Sequence, residues 1–412
     1  MKNFFNIIIF LLVLLFIYAE YRQYRISIKK TTHLENTILD LKKNFEKNNY
    51  NVKFLSETQF TRLIFNKKNI KFNNSFYDKY DNKNNKWRRK TFFLDEYFSN
   101  IIVSDYFGNF YYFDKNKIIE NNNLINLKDI ISNFDFKKIL DIKIFDNTLY
   151  VTHVIYKNNC QYFSIYKSEF NLEELNFTNF FTDKTCADFI QAGRIAKYKH
   201  NNIEGILVST SNQLPDKTDS SYSQPQDKKN IFGKILFFDL ENGKYEVFSL
   251  GHRNVAGLYA DEGLVLATEH GPRGGDEINK IIYNSNYGWP ISSYGEKYSS
   301  DNSNSIDYLK SHKDNNFKEP IYSYVPSIGI SEIIRLNNNF SKHFQNNFII
   351  SSLADNHIYR VKFDDKYNKI IYQERIFIGN RIRDLKYIDD YNAVILALES
   401  EENASIGILM ND

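Results

Sequence analysis

Short apolar runs, each ending in small or polar residues, recur along this chain from about residue 91 onwards. Six runs lie roughly 45 to 60 residues apart, with one longer interval between the fourth and the fifth. They are Ile101–Ser104, Leu149–Thr152, Ile206–Ser209, Leu264–Ala267, Phe348–Ser351 and Val394–Ala397. After a turn a second apolar run often follows, as at Phe110–Phe113, Ile235–Phe238 and Ile358–Val361. Because strand pairs repeating at this period are typical of propeller blades, we predict an all-β, six-bladed β-propeller over residues 91–412.

The composition agrees with a β-rich fold. Aromatic residues make up 16% of the 412 residues, and aromatic side chains suit pleated, half-buried surfaces. The formal net charge is only +3, so we expect no nucleic-acid partner. The sequence contains no nucleophile elbow, no Cys/His zinc spacing and no phosphate-binding glycine loop, so a hydrolase has no support.

The first 90 residues differ from the rest of the chain. Phe4–Ala19 is almost wholly apolar and slightly shorter than the roughly 20 residues that span a bilayer. Such a segment is a signal peptide or an uncleaved anchor, and Ile17–Ala19 is a poor cleavage site because its first residue is bulky. We predict a transmembrane anchor or signal segment over residues 1–20 and a helical and basic connector over residues 21–90. Helical spacing in the connector is shown by Leu34, Ile38, Leu41 and Phe45.

Two signals disagree about the side of the membrane on which the chain lies. Basic residues follow the apolar span, and the positive-inside rule would place the bulk of the chain in the cytoplasm. Cys160 and Cys186 point the other way, because they would pair in an oxidising compartment, while an unpaired buried state fits them equally. We predict a membrane-anchored protein whose propeller lies on the periplasmic or extracytoplasmic side.

Glycine, proline, histidine, arginine and acidic residues concentrate in one span of the chain. Its three parts are Gly251–Asn254, Ala267–Glu277 and Asn286–Pro290. Glycine permits backbone conformations closed to other residues and proline fixes a dihedral angle, so this span predicts a fixed backbone built around a site. We interpret His252 and His270 as hydrogen-bonded loop residues within it.

This span resembles the signature region of the glucose/sorbosone dehydrogenase family. Weaker similarity covers Gln191–Ile195, Ile206–Gln213, Phe232–Ile235, Pro326–Ile330 and Asn380–Asp384. The family contains soluble quinoproteins that oxidise aldose sugars with pyrroloquinoline quinone (PQQ) and calcium on a six-bladed propeller. The resemblance therefore implies PQQ and calcium as candidate cofactors and a small sugar or other polar molecule as the ligand.

The resemblance also implies roles for individual residues. Arg253 and Asn254 resemble the pair beside the reactive quinone carbonyl, and they are the candidate catalytic residues. Arg381 and Arg383 resemble the arginines that bind the PQQ carboxylates, since arginine gives bidentate geometry to such groups. At positions i and i+2 of a strand, both would point to the same face. The candidate cofactor-binding residues are Gln191, Arg253, Asn254, Arg381 and Arg383.

A calcium site is implied in the same span. The backbone carbonyls of Gly271 and Pro272 resemble the family's ligands for cofactor-bound calcium, a hard cation that prefers oxygen. Asp276 and Glu277 either add ligands to this metal or brace the loop. The candidate metal ligands are therefore Gly271, Pro272, Asp276 and Glu277.

Three positions depart from the family's pattern. Where the family has a His that takes the proton of the sugar hydroxyl, this chain has Ile190, whose aliphatic side chain accepts no proton. Asn212 matches the acidic residue that orients that base, and Ala354 matches a cofactor-binding Lys. General-base catalysis contributes roughly 100- to 10,000-fold. We therefore expect weakened, altered or lost sugar oxidation with a ligand-binding role; the alternative is an active PQQ- and calcium-dependent aldose or alcohol dehydrogenase with a modified site.

Overall fold

The computed structural model describes Tyr18 and residues 63–71, 91–212, 224–297, 308–341, 343–400 and 404–411. These residues form 27 strands in six sheets. They also form short 3-10 helices at Lys115–Ile118, Gln224–Gln226, Lys313–Asn315 and Asp389–Tyr391. Within this part of the chain, no helix has the length and apolar character needed to cross a membrane. Apart from Tyr18, the anchor predicted over residues 1–20 lies outside the described residues, as does most of the predicted connector.

The first three sheets follow one another along the chain, and each is given from its inner strand outwards. Sheet 1 contains β2 (Phe92–Tyr97), β3 (Asn100–Asp105), β4 (Phe110–Asp114), β6 (Lys128–Ser132) and β10 (Glu174–Leu175). Sheet 2 contains β7 (Ile139–Phe145), β8 (Thr148–Lys157), β9 (Cys160–Glu169) and β11 (Thr178–Thr182). Sheet 3 contains β12 (Ile195–His200), β13 (Ile203–Ser209), β14 (Lys234–Asp239), β15 (Tyr245–Leu250) and β19 (Ser285–Asn286).

The remaining three sheets complete a ring. Sheet 4 contains β16 (Val255–Asp261), β17 (Leu264–Glu269), β18 (Asp276–Lys280) and β20 (Tyr322–Tyr324). Sheet 5 contains β21 (Ile330–Arg335), β22 (Asn347–Ser352), β23 (His357–Phe363) and β24 (Ile370–Phe377). Sheet 6 contains β25 (Arg381–Ile388), β26 (Ala393–Glu399), β27 (Ser405–Asn411), β1 (Leu63–Lys71) and β5 (Leu124–Asn126). Each inner strand contacts the inner strands of both neighbouring sheets, so the six surround a central channel. The predicted all-β, six-bladed propeller is confirmed.

The second strand of every sheet carries one of the six apolar runs from which the propeller was predicted. These strands are buried on both faces, because a neighbouring sheet packs against each side. In β26 every residue is buried, whereas the outer strand β24 is largely exposed. Burial on both faces explains why the runs are continuously apolar instead of alternating with polar residues.

Small polar residues at the ends of these second strands contact the inner strand of the next sheet. The Thr152 hydroxyl donates a 2.6 Å hydrogen bond to the Gly193 carbonyl, and the Ser209 hydroxyl donates a 3.3 Å bond to the Val255 carbonyl. Each bond satisfies a buried backbone carbonyl next to the channel. The run ends are therefore small and polar because the inner strands approach them closely.

The N-terminal strand β1 closes the ring. It pairs with the C-terminal strand β27 in antiparallel register, from Leu63 opposite Asn411 to Asn69 opposite Ser405. This segment lies within the connector predicted over residues 21–90, but the structure places it in the sixth sheet. The segment has no continuous apolar run because most of its residues lie partly or wholly at the surface.

A buried ionic cluster lies at the centre of the channel. The Arg194 Nη1 atom lies 3.2 Å from Asp141, 3.1 Å from Glu332 and 3.1 Å from Asp384, and all four side chains are almost wholly buried. The other guanidinium nitrogens donate to the carbonyls of Ala256 at 2.7 Å and Arg383 at 2.8 Å. One arginine thus links the inner strands of sheets 2, 4, 5 and 6.

Candidate functional site

Several loops meet at the end of the channel where the inner strands begin. In an antiparallel sheet the start of the inner strand lies beside the end of the second strand, so this end also gathers the turns after β17, β22 and β26. Three contacts connect the loops: Arg253 to Gly271, Asn254 to Gln191, and Arg381 to Leu353. The candidate residues before β12, β16 and β25 therefore share one end of the channel.

The segment Gly251–Asn254 is held by the buried Glu269. Its carboxylate accepts from the Arg253 backbone N–H and lies 2.9 Å from Nδ1 of His252. The other imidazole nitrogen of His252 lies 2.8 Å from the Ser249 hydroxyl. Gly251 has φ of 78°, and an added Cβ would lie 2.2 Å from the Asn286 side-chain oxygen, so only glycine fits this turn. His252 is thus a hydrogen-bonded loop residue, as interpreted from the sequence.

The Arg253 guanidinium lies against the loop that follows β17. Its Nη1 donates to the carbonyl oxygens of Gly271 at 2.9 Å and His270 at 3.3 Å. The guanidinium carbon lies 5.3 Å from the centre of the Trp289 ring, within the range of a cation–π contact. Its buried Nε has no hydrogen-bond partner among the described residues. An unpaired buried donor is costly, so this atom suits an acceptor supplied by a ligand.

Arg381 and Arg383 share the buried carboxylate of Glu399. The Nε atoms of Arg381 and Arg383 lie 3.3 and 2.6 Å from its two oxygens, and the Thr91 hydroxyl donates to it at 2.7 Å. Although burial raises the pKa of Glu399, Arg383, Thr91 and Arg381 hold it below its usual range. Two guanidinium groups therefore share one buried carboxylate at this end of the channel.

The charges of all three candidate arginines act on the imidazole of His270. Burial is the main cause that lowers the pKa of its imidazole, to about 4. The Asp276 carboxylate, 3.9 Å from Nδ1, opposes this shift. The positive charges of Arg253, Arg383 and Arg381 add to the lowering. All three candidate arginines therefore act on one imidazole at neutral pH, where it is uncharged.

Gln191 and Asn254 face each other, but Ile190 faces the core. The Asn254 side-chain amide donates to the Gln191 side-chain oxygen at 3.3 Å. The Ile190 side chain is only 1% exposed and lies in an apolar cluster with Leu140 and Phe163. The position that resembles the family's base therefore does not present its side chain to the site.

The two other departing positions lie in the same group of loops. The backbone N–H of Asn212 donates to the Arg253 carbonyl at 2.7 Å, and its buried side-chain oxygen has no partner among the described residues. Ala354 donates its backbone N–H to Ile328 at 3.0 Å. Neither side chain brings a charge to the site, as expected from the sequence.

The four candidate metal ligands have different surroundings. Asp276 accepts from the backbone N–H groups of Gly271 at 3.1 Å and of Ile328 and Ile330 at 3.0 Å, so it braces the loop. Glu277 lies 3.3 Å from His312, and burial raises its pKa despite that partner. Pro272 packs beside Gly295. Within the described residues, no cluster of three or more His, Cys, Asp or Glu side chains is suited to a metal ion.

Sequence reasoning missed three residues that shape this site. Glu399 and Glu269 set the positions of the arginines, and Lys138 reaches the loop before β12 from a different sheet. Glu399 lies directly opposite Arg381 in the β25–β26 register, which pairing of the two predicted strands would have found. Lys138 carries no such signal, because it stands in a lysine-rich stretch of an ordinary loop.

Six sheets around a channel whose end carries three arginines define a six-bladed propeller with a cationic site. The chain belongs to the glucose/sorbosone dehydrogenase family, whose family model matches residues 192–408. That match contains Arg253, Arg381 and Arg383 but neither Gln191 nor Lys138. The family resemblance drawn from the sequence is confirmed.

Named relatives match shorter segments. The chain is 36% identical to the uncharacterised protein slr1608 of Synechocystis sp. over 166 residues, which are 38% of this chain and 39% of that protein. It is 28% identical to the aldose sugar dehydrogenase YliI of Escherichia coli over 204 residues, 47% of this chain and 54% of that protein. The matched segments thus span about two fifths to a half of these relatives.

A solved structure shares the fold over a longer range. The PQQ-bound aldose sugar dehydrogenase of Streptomyces coelicolor superposes with a TM-score of 0.55 and 17% identity. The likeness covers 76% of this chain and 91% of that protein. At this identity the comparison supports the propeller fold.

Proposed function

We propose that this chain binds PQQ, or a closely similar anionic quinone, at the arginine-lined end of its channel, and that its sugar oxidation is weakened or altered. The observation that carries the proposal is the position of Arg253, Arg381 and Arg383 at one end of the channel. PQQ carries three carboxylates, and arginine suits such groups because of its fixed fork of donors. Relatives named for PQQ or for aldose sugar oxidation support the same assignment.

The residues present fit this cofactor. Arg381 and Arg383 would hold carboxylates, since each guanidinium has several N–H donors and Glu399 fixes both at this end of the channel. Arg253 and Asn254 would lie beside the carbonyl that gains charge, and the unpaired Nε of Arg253 is a donor suited to it. When bound, PQQ supplies the acceptor for a hydride from the sugar carbon.

We also propose calcium as the accompanying ion, bound through the carbonyl oxygens of Gly271 and Pro272. The Gly271 carbonyl accepts a hydrogen bond from Arg253, so an ion at that oxygen would compete with the guanidinium. Asp276 would then hold the loop in place without binding the ion, since its carboxylate already accepts hydrogen bonds from three backbone N–H groups. Titrating calcium into the protein with PQQ present should raise PQQ affinity, and magnesium at the same concentration is the matched control.

Equilibrium binding of PQQ to the purified chain tests the cofactor assignment. We expect micromolar or tighter binding, and a loss of about 10- to 100-fold in Arg383→Ala, because a charge-assisted hydrogen bond contributes about 1.5–3 kcal/mol. The control is Arg335→Ala. Arg335 is the last residue of β21 and lies away from the end of the channel that carries the three arginines, so this variant should keep the native PQQ affinity. No PQQ binding at micromolar concentration would overturn the proposal.

A binding role without turnover is the second candidate function, and the burial of Ile190 favours it. With that side chain in the core, no proton acceptor stands at the position that resembles the family's base. Under this alternative the native chain binds PQQ or a sugar, yet glucose does not reduce an added dye. Glucose-dependent dye reduction by the PQQ-loaded native chain would rule it out.

We further propose that the propeller is tethered to the membrane and lies on the extracytoplasmic side. The apolar Phe4–Ala19 segment supports a tether, and the Cys160–Cys186 disulfide supports an oxidising compartment. The full chain should sediment with membranes and be digested by protease added to spheroplasts. Protection from that protease in intact spheroplasts would place the propeller in the cytoplasm.

A further inference from the structure

Lys138 is a buried lysine at the same end of the channel as the arginines. It stands directly before β7, in the loop that joins sheets 1 and 2, and is only 6% exposed. Its backbone carbonyl accepts from the Val154 N–H at 3.0 Å, which fixes the main chain beside β8. Its side chain extends to the loop before β12, which carries Gln191.

The amine of Lys138 contacts the peptide group that joins Ile190 to Gln191. Its Nζ donates to the Ile190 carbonyl at 2.6 Å and lies 4.7 Å from the centre of the Phe189 ring. That ring is 40% exposed, and Gln191 in turn accepts from Asn254. An amine, an open aromatic ring and two amides are therefore adjacent, which is the chemistry that binds a hydroxyl-rich ring.

The loop that carries this peptide is fixed from the other side as well. The Ile190 N–H donates to the Gln161 side-chain oxygen at 3.1 Å, and the Gln191 N–H donates to the Ser211 hydroxyl at 2.9 Å. The Cys160–Cys186 disulfide precedes both contacts. Because the loop is held without the lysine, the amine is not required merely to close it.

Lys138 has no carboxylate partner among the described residues. The charged residues nearest along its own loop, Asp135 and Lys137, pair with each other at the surface. Burial lowers the pKa of the Lys138 amine to about 8, which favours its neutral form. A neutral amine has a lone pair that accepts a proton.

We propose that Lys138 is the proton acceptor of this site and takes the proton of a sugar hydroxyl that lies against Phe189. This inference rests on the proposed function. The hydroxyl O–H bond breaks and its proton passes to Nζ, while the sugar carbon gives its hydride to the bound quinone. The carbon is oxidised to a carbonyl and the quinone is reduced by the same two electrons. The ammonium group afterwards returns its proton to water.

Two variants separate proton transfer from structural support. Lys138→Arg keeps the positive charge and the donor to Ile190 but accepts no proton, so we expect glucose-dependent dye reduction to fall at least 100-fold with PQQ affinity unchanged. Lys138→Ala should lose the same activity and recover part of it when methylamine is added. Arg335→Ala serves again as the matched control. A native rate in Lys138→Arg would overturn the proposal.

A second readout does not depend on turnover. Acetic anhydride labels only neutral amines that it can reach, so labelling of Lys138, followed by peptide mass spectrometry, should rise with pH and slow when glucose is present. Labelling unaffected by glucose would overturn the proposal for Lys138 alone if PQQ still binds. Failure of PQQ to bind the native chain would overturn the proposed function and this inference together. PQQ binding without glucose-dependent reduction would reject Lys138 as the base and favour the binding role.

Discussion

At the scale of single residues, two buried glutamates set the geometry of the cationic site. Glu399 takes one N–H from each of Arg381 and Arg383, and Glu269 takes the backbone N–H of Arg253. Each glutamate restricts an arginine segment before any ligand arrives. A ligand that binds such prearranged donors loses less free energy to ordering than one that must organise flexible side chains.

His153 provides a residue-scale prediction about acid stability. Its ring is 1% exposed, lies among Phe134, Phe136 and Tyr166, and has no hydrogen-bond partner for either nitrogen among the described residues. Burial lowers its pKa from 6.5 to about 4. The neutral ring therefore contributes stability above pH 6.5 that is lost as the pH falls towards 4, on the order of 3 kcal/mol.

Replacing this ring with an apolar one should remove that acid sensitivity. The difference in unfolding free energy between His153→Phe and the native chain at pH 7.5 is the reference. At pH 4.5 we expect this difference to shift by about 2–3 kcal/mol in favour of His153→Phe. Urea unfolding at the two pH values measures the change. His343→Gln, at an exposed histidine, should show no such gain. An equal pH dependence in His153→Phe and the native chain would contradict the assignment.

The motifs that resemble the family identified the arginines, while Lys138 was hidden by its distance along the chain from the loop that it contacts. Arg253 stands in a glycine-rich segment and Arg381 and Arg383 alternate on one strand, so each leaves a short-range signal. Lys138 contacts Ile190, which lies 52 positions later in the sequence. A contact of that kind depends on how two sheets pack, and a single sequence carries no record of it.

At the scale of elements, the six second strands were predictable because burial on both faces makes them continuously apolar. Strand β1 was not, since its exposed positions dilute its apolar ones and its partner β27 lies at the other end of the chain. A strand of this kind is defined by backbone pairing more than by side-chain burial. The predicted boundary at residue 91 therefore missed the first strand of the propeller.

The disulfide gives an element-scale prediction. Cys160 and Cys186 are 26 positions apart, and their bond joins the start of β9 to the loop that leads to Gln191. Closing a loop of this length restricts the unfolded chain by about 3–4 kcal/mol in the chain-entropy description. We expect Cys160→Ser with Cys186→Ser to lose about 2–4 kcal/mol of unfolding free energy, measured in urea.

The same change should loosen the loop without dismantling the sheet. Gln161 still pairs with Ala187 through two backbone hydrogen bonds of 2.8 and 3.0 Å, which hold the loop when the disulfide is absent. Amide hydrogen exchange should therefore quicken in residues 183–191 and stay native in β13 and β14. Equal stability of the oxidised and doubly substituted chains would show that the bond contributes nothing.

At the scale of the whole molecule, two features stabilise the ring of six sheets: strand pairing in the sixth sheet and an ionic cluster in the central channel. Strands β1 and β27, the first and last strands of the propeller, pair within one sheet. At the centre, Arg194 stands at the start of β12 and bonds groups on β7, β16, β21 and β25. Burial raises the pKa of Glu332 to about 7, and Arg194 opposes that shift. Arg194, which bonds all three carboxylates, and the nearby Lys143 therefore offset the charge of Asp141, Glu332 and Asp384.

Removing this cation should destabilise the whole propeller. Arg194→Met preserves much of the side-chain volume but removes the direct partner of Asp141, Glu332 and Asp384. Lys143 would then be left to offset their buried charges, so we expect a loss of about 3–5 kcal/mol at pH 7. The matched control is Lys197→Met, whose exposed pair with Asp146 should contribute less than about 1 kcal/mol. Because the arginine connects inner strands from most of the sheets, urea unfolding should stay a single transition with an earlier midpoint. A loss in Arg194→Met no larger than that in Lys197→Met would show that the central cluster does not hold the ring together.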